Sequence, residues 1–471
     1  MNAPLVEHGQ ERAARPGTLY LPDAFGDAQR SLARAWLWLG LFALIGAGLF
    51  SILLVVSRTP GLQSWFPVAD FFRVALVVHV DLSVLVWFVA MAGMICSLQL
   101  RPVALPLARG AAWLCAAGTA GMLLAPFLGG GEVLMANYIP VLDGPVFLGS
   151  LLVFAAGTTL MVLHALSAAP RPARAAPAVA ALQFGANASM VALAVALIAF
   201  AWSFLVMPGQ LAGKAYYEVL FWGGGHALQF AWTILMLLSW LWLAGASGGR
   251  VALSPRLVVL MFLLALASVF VTPYAYLAHD IASVEHRNLL TMAMRIGGGL
   301  AILPVMLAVT LSMWPLRSLD STQRPLRASL WSSMAVFALG GVIGMLISGN
   351  NVRIPAHYHG SIVGVTLALM GVVYFLLPRL GYAAPDSRMA RWQPMLYASG
   401  QTLHILGLVW SGGYGVQRKV AGAEQVLRSK SEIAGMGVMG LGGLVAIIGG
   451  VLFVVVVIRA MRAPVQPGVR Q

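Results

Sequence analysis

Nine histidines are spread along a chain of 471 residues: His8, His79, His164, His226, His279, His286, His357, His359 and His404. An imidazole inside lipid-spanning sequence is costly unless it faces other helices and finds a partner, so such histidines are candidates for function. The most informative pair stands in Ala356-His357-Tyr358-His359-Gly360. Residues two apart on a helix point about 200° away from each other, so one helix presents two imidazoles to opposite sides. If each binds an iron, that helix stands between two haems, imidazole being a common axial ligand. His79 lies in the outer part of an earlier apolar run, at a similar membrane depth, where it would complete a six-coordinate haem with one member of the pair. His226 follows three glycines in Leu220-Phe221-Trp222-Gly223-Gly224-Gly225. Small residues let a neighbour approach closely in a membrane, so a macrocycle or a helix packed on the glycine face would account for them. Hydrogen bonding or packing between helices without a ligand stays open at each of these positions.

The elements that must carry these residues are membrane helices. Of the residues, 60% are hydrophobic and only 9% charged, against roughly a quarter charged in a soluble domain. The apolar runs are continuous rather than alternating, which excludes a β-barrel, and a spanning segment must satisfy its own backbone. Runs long enough to cross about 30 Å of hydrocarbon lie near 31–55, 70–98, 107–128, 141–168, 178–206, 217–245, 255–278, 288–314, 329–349, 355–378, 393–414 and 434–460. The fold class is therefore all-α, a polytopic bundle of about twelve transmembrane helices. Residues 1–30 form a polar N-terminal segment, 31–460 the helical domain and 461–471 a tail.

A net charge of +14 would point to nucleic acid in a soluble protein, but here the basic residues sit in short loops. Arg101, Arg171, Arg250, Arg256, Arg324, Arg379, Arg391 and Arg459 all fall on the side of the N-terminus. The positive-inside rule then places both termini in the cytoplasm of a bacterial-type inner membrane. The N-terminal segment lacks the apolar core and cleavage site of a signal peptide. The opposite face carries Glu132, Asp143, Glu218, Asp280, Glu285, Glu424 and Glu432 and a polar loop near 415–433, a surface suited to a soluble electron donor or a partner subunit. Cys96 and Cys115 lie in apolar runs without CxxC or CxxCH spacing, so they read as buried packing.

With these residues in place, the chain resembles subunit I of the haem-copper oxidase superfamily, which contains the cytochrome oxidases, quinol oxidases and nitric oxide reductases. The likeness covers nearly the whole chain. It rests on twelve spans and four ordered patterns: His79 in span two, Leu220 to His226 in span six, Ala356 to His359 opening span ten, and Gly415-Val416-Gln417-Arg418-Lys419 after span eleven. The resemblance implies two haems. His79 and His359 would be axial ligands of a low-spin haem, His357 the ligand of a high-spin haem, and His226 a ligand of copper. Arg418 and Lys419 would pair with haem propionates. It also implies other oxidase subunits, surrounding lipid, and a periplasmic donor, either cytochrome c or a cupredoxin-like subunit II.

The chain departs from the family pattern at defined places. It has no His-His pair near the end of span seven; His279 is close by and His286 lies seven residues further on, and since a copper site needs several suitable ligands, His226 with His279 and His286 could build a rearranged metal site, or the chain holds haem without copper. Phe230 stands where many oxidases place a tyrosine, and Ala227, Leu228 and Gln229 offer none of the glutamates of nitric oxide reductases. Lys214, Lys419 and Lys430 all lie in outer segments, while span eight carries Arg295. Asp81 reads equally as a proton or propionate group and as a partner of Arg73. The leading expectation is a respiratory oxidoreductase that reduces O2. Nitric oxide reduction, a haem protein for electron transfer or gas binding with a degenerate copper site, and a transporter are the alternatives.

Overall fold

Capping and proline placement decide where each apolar run becomes a helix. A computed structural model of the chain describes residues 17–62, 69–129, 131–170, 175–314, 319–421 and 424–464. Twelve long helices follow one another in it: α1 (Asp27–Arg58), α2 (Phe71–Gln99), α3 (Leu105–Leu124), α4 (Pro145–Ser167), α5 (Pro177–Leu205), α6 (Gly213–Ala246), α7 (Pro255–Ala278), α8 (Val284–Ser312), α9 (Gln323–Met345), α10 (Arg353–Leu376), α11 (Ser387–Gly413) and α12 (Lys430–Arg462). All but α11 are long and apolar enough to cross a membrane. With its 27 residues α11 has the length, about 40 Å at 1.5 Å per residue, but carries Gln393, Gln401 and His404.

Several boundaries differ from those expected, for local reasons. The expected fourth span began at 141, but Val141–Asp143 forms strand β2, antiparallel to β1 (Glu132–Leu134), and the helix starts at Pro145 after extended Gly144. The ninth helix begins at 323 rather than 329 because Asp320 caps it, its Oδ1 accepting the N–H groups of Thr322 and Gln323 at 2.8 Å. α7 breaks at Phe270, between Val269 and Val271, where Pro273 removes a donor and crowds the carbonyl four residues back. α2 passes through a π-helical stretch at Asp81–Val86, where the Ser83 hydroxyl donates to His79 O at 2.6 Å. α12 is capped by Ser429, whose Oγ accepts the Glu432 N–H at 3.2 Å. Residues 1–16 and 465–471, most of the expected polar N-terminal segment and tail, lie outside the described residues.

Three helices form the interior. In α6, α10 and α2, 89%, 83% and 67% of the most apolar stretch is buried, against 50% or less in the other eight spans that meet the length and composition test. These are the helices that carry His226, the His357/His359 pair and His79. The outer helices show large apolar side chains to the surroundings, among them Trp113, Leu152, Leu205 and Leu303, as lipid contact requires.

Candidate functional site

The opposed placement expected for the pair on α10 is present. His357 turns to α9, its Nδ1 lying 2.7 Å from Gly340 O, and His359 turns to α11, its Nδ1 lying 3.2 Å from Gln401 Oε1. On α2, His79 Nδ1 lies 2.9 Å from Ala47 O of α1. A carbonyl oxygen only accepts, so each of these Nδ1 atoms carries the proton. Each imidazole is thereby fixed in the tautomer whose Nε2 keeps its lone pair, the form that ligates iron.

His359 is within electrostatic reach of His79 and of Arg58. A histidine that the motifs did not single out joins them: the ring centroid of His404 on α11 is 4.6 Å from that of His359, and its Nδ1 lies 3.0 Å from Met439 O. Its signal in the sequence was its position inside an apolar run, which it shares with His164. His164 proves to be a structural residue bonded through Nε2 to Val103 O at 2.8 Å. Arg58 is tied to the outer loop through Gln425 Oε1 at 3.2 Å and Gln417 O at 3.4 Å. Asp81 is 1% exposed and neither carboxylate oxygen has a hydrogen-bond partner. The pairing of Asp81 with Arg73 is not made, because Arg73 Nη2 meets Glu424 at 2.8 Å instead.

His226 lies apart from this group, buried on α6. Its Nδ1 lies 2.8 Å from Trp222 O, and its Nε2 lies 3.0 Å from the Tyr138 hydroxyl. Tyr138 comes from the β1–β2 loop with φ +65°, a conformation rare for an aromatic residue and often found at functional sites. It is held there by Asn137, whose N–H and Nδ2 donate to the two oxygens of Glu218 at 3.1 and 3.0 Å. Burial lifts the Tyr138 phenol well above its ordinary pKa, with Tyr358 and Glu218 adding to the effect. The three glycines before His226 admit aromatic side chains rather than a helix backbone: a Cβ on Gly223, Gly224 or Gly225 would strike Tyr276, Phe200 or Tyr138.

His286 is 1% exposed, with neither ring nitrogen hydrogen-bonded, and meets the Tyr276 ring edge-on at 4.9 Å. It is within electrostatic reach of His226 and His279. Even so, the described residues contain no group of three or more His, Cys, Asp or Glu side chains placed to hold a metal ion. His226, with both nitrogens already engaged, is not poised as the leading ligand of such a set.

Beyond α11, Lys419 adopts φ +63° and its Nζ donates to Met135 O at 2.5 Å. Burial lowers its pKa to about 8, the charges of Arg418 and Lys214 also lowering it and Glu218 opposing them. Arg418 hydrogen-bonds the Tyr358 side chain. Arg418 thus lies beside α10 at Tyr358, while Lys419 is held against the β1–β2 loop.

The arrangement defines a multi-pass helical membrane protein whose innermost helices carry the histidines. The same architecture is found in the structure of a haem-copper terminal oxidase dimer, which this chain matches with a TM-score of 0.70 at 15% identity, over 94% of this chain and 85% of the other. The chain belongs to the cytochrome c and quinol oxidase polypeptide I family, whose model matches residues 31–464, and is a divergent member of it. It is 29% identical to an uncharacterized protein of Rickettsia prowazekii, over 92% of this chain and 96% of that protein. It is 27% identical to an uncharacterized protein of Aquifex aeolicus, over 76% and 88% respectively. Family membership implies haem cofactors and other oxidase subunits.

Proposed function

We propose that the chain is the haem-carrying subunit of a membrane respiratory oxidoreductase, passing electrons through a low-spin haem to a high-spin haem site that reduces O2. The observation that carries this reading is the set of three imidazoles, His79, His357 and His359, each with Nδ1–H bound to an oxygen and Nε2 left for iron. His79 and His359 would hold the low-spin haem and His357 the high-spin haem. Once bound, these groups would supply one-electron transfer and a site for a diatomic ligand. The chain's own residues orient and screen: Ala47 O, Gly340 O and Gln401 fix the ring planes, and Arg418 and Lys419 would neutralise propionates by charge-assisted hydrogen bonds.

Electrons would enter from the acidic face, from a cytochrome c or a cupredoxin-like subunit II, in a bacterial-type inner membrane with both termini cytoplasmic. The loop arginines support that orientation. A second reading, a haem protein for electron transfer or gas binding, is favoured by the Tyr138 hydroxyl on His226 Nε2 and by the absence of a three-donor group among the described residues.

The deciding experiment is haem and metal content of the purified protein, from pyridine-haemochrome spectra with elemental iron and copper. Two haems per chain are expected, falling to one in His79→Ala. One copper per chain would favour the reductase and its absence the second reading; a haem-free protein would sink both.

A further inference from the structure

Between the first halves of α9 and α11 runs a groove of about 1130 Å³ lined by none of the chain's histidines. Three guanidinium groups line it: Arg324 and Arg327 from the start of α9, and Arg391 from the start of α11. The two helices run in the same direction, since α10 reverses the chain between them, so these arginines gather at one membrane surface. The lining extends along α9 to Val336 and along α11 to Leu403. Each stretch of 13 residues covers about 18 Å from first to last at 1.5 Å per residue, little more than half of the roughly 30 Å hydrocarbon core.

That depth selects among occupants. A spanning helix from another subunit needs a seat through the whole bilayer, whereas a lipid acyl chain needs one leaflet. The charge selects further. Arg327 is buried, with Nη2 donating to Ser247 O at 2.9 Å, and Arg324 is anchored through Nε to Leu319 O at 3.1 Å. The carboxylate nearest in sequence, Asp320, is engaged at the start of α9 through Oδ1 and interacts electrostatically with Arg324, one of the three cations. Arginine forms strong charge-assisted bonds to phosphate, and basic pockets between spanning helices on the cytoplasmic side bind acidic headgroups.

The geometry points to a binding site for one acidic phospholipid, with its headgroup against Arg324, Arg327 and Arg391 and an acyl chain along the groove towards Val336 and Leu403. The site is independent of the haem reading.

Native mass spectrometry of the purified full chain, titrated with phosphatidylglycerol or phosphatidylcholine of identical acyl chains, tests it. One phosphatidylglycerol should be retained at saturation, with a preference over phosphatidylcholine on the order of 30-fold if two cations near the surface contribute about 1 kcal/mol each. The Arg324→Gln/Arg391→Gln variant should lose that preference while keeping its melting temperature, and Ala335→Trp, which fills the groove, should lose retention of both lipids. Equal retention of the two lipids by the native chain, or an undiminished preference in the double variant, would overturn the proposal. So would cross-linking of Leu403→Cys to a partner subunit's helix in native membranes.

Discussion

Lys419 shows how a single side chain in this protein can report on the whole site. Its carbonyl partner, Met135 O, accepts one hydrogen bond, and burial brings its pKa from 10.5 to about 8 although the Glu218 charge opposes the shift. Between those values the unfolded chain binds the proton more tightly than the folded one. Stability therefore rises with pH across that window, and the penalty is fully present below about 8. In haem-depleted protein with methyl-labelled lysines, we expect one of the three lysine signals to titrate near 8 and to vanish in Lys419→Met. A propionate beside it would move that titration upward on haem loading; an unmoved titration would remove Lys419 from the propionate role. The imidazoles themselves were legible in the sequence, because a histidine in an apolar run is conspicuous. Their acceptors were not: Ala47 O and Gly340 O are backbone atoms, which any residue type supplies. Tyr138 was missed for a related reason, since it reaches His226 from 88 residues away in the chain through a left-handed backbone that no motif encodes.

At the scale of helices, the spacing between α9 and α10 governs how His357 is held. The two backbones meet at Gly340 and Gly360, and a Cβ added to Gly340 would lie 2.5 Å from Ser361 N. The same glycine offers the carbonyl that fixes His357. Gly340→Ala must push the helices apart, at a cost of about 1–3 kcal/mol for an overpacked contact, and displace the acceptor. The expected result is a lower melting temperature together with loss of the high-spin haem absorption and retention of the low-spin one. Equal loss of both haems, or of neither, would show that the glycine contact does not govern His357. Most helices were legible from runs of apolar residues, including their number. Their ends followed capping groups and proline: Asp320 lengthened α9, Pro273 broke α7, and the short β1–β2 hairpin replaced the start of an expected span because Pro145 and Gly144 set the helix start. The glycine run before His226 was visible, but its use, the seating of Tyr276, Phe200 and Tyr138, depended on three separate segments folding onto it.

Across the whole molecule, the Asp81 carboxylate and the His286 imidazole are among the buried polar groups that have no hydrogen-bond partner in the described residues. Leaving a buried polar group unpaired costs about 1–3 kcal/mol, so a bundle of this kind retains such groups at a cost in stability. The Nε2 atoms of His79, His357 and His359 make no hydrogen bond among the described residues and are left open to a ligand. A ligand that binds only the folded bundle stabilises it by RT ln(1 + [L]/Kd), about 4 kcal/mol at a thousandfold excess over Kd. Protein made in a host unable to synthesise haem should therefore melt well below haem-loaded protein. The difference should shrink by about half in His79→Ala or His359→Ala, each of which leaves one haem in place. Identical melting with and without haem would mean that these histidines serve packing alone, with the family's architecture kept and its cofactors lost.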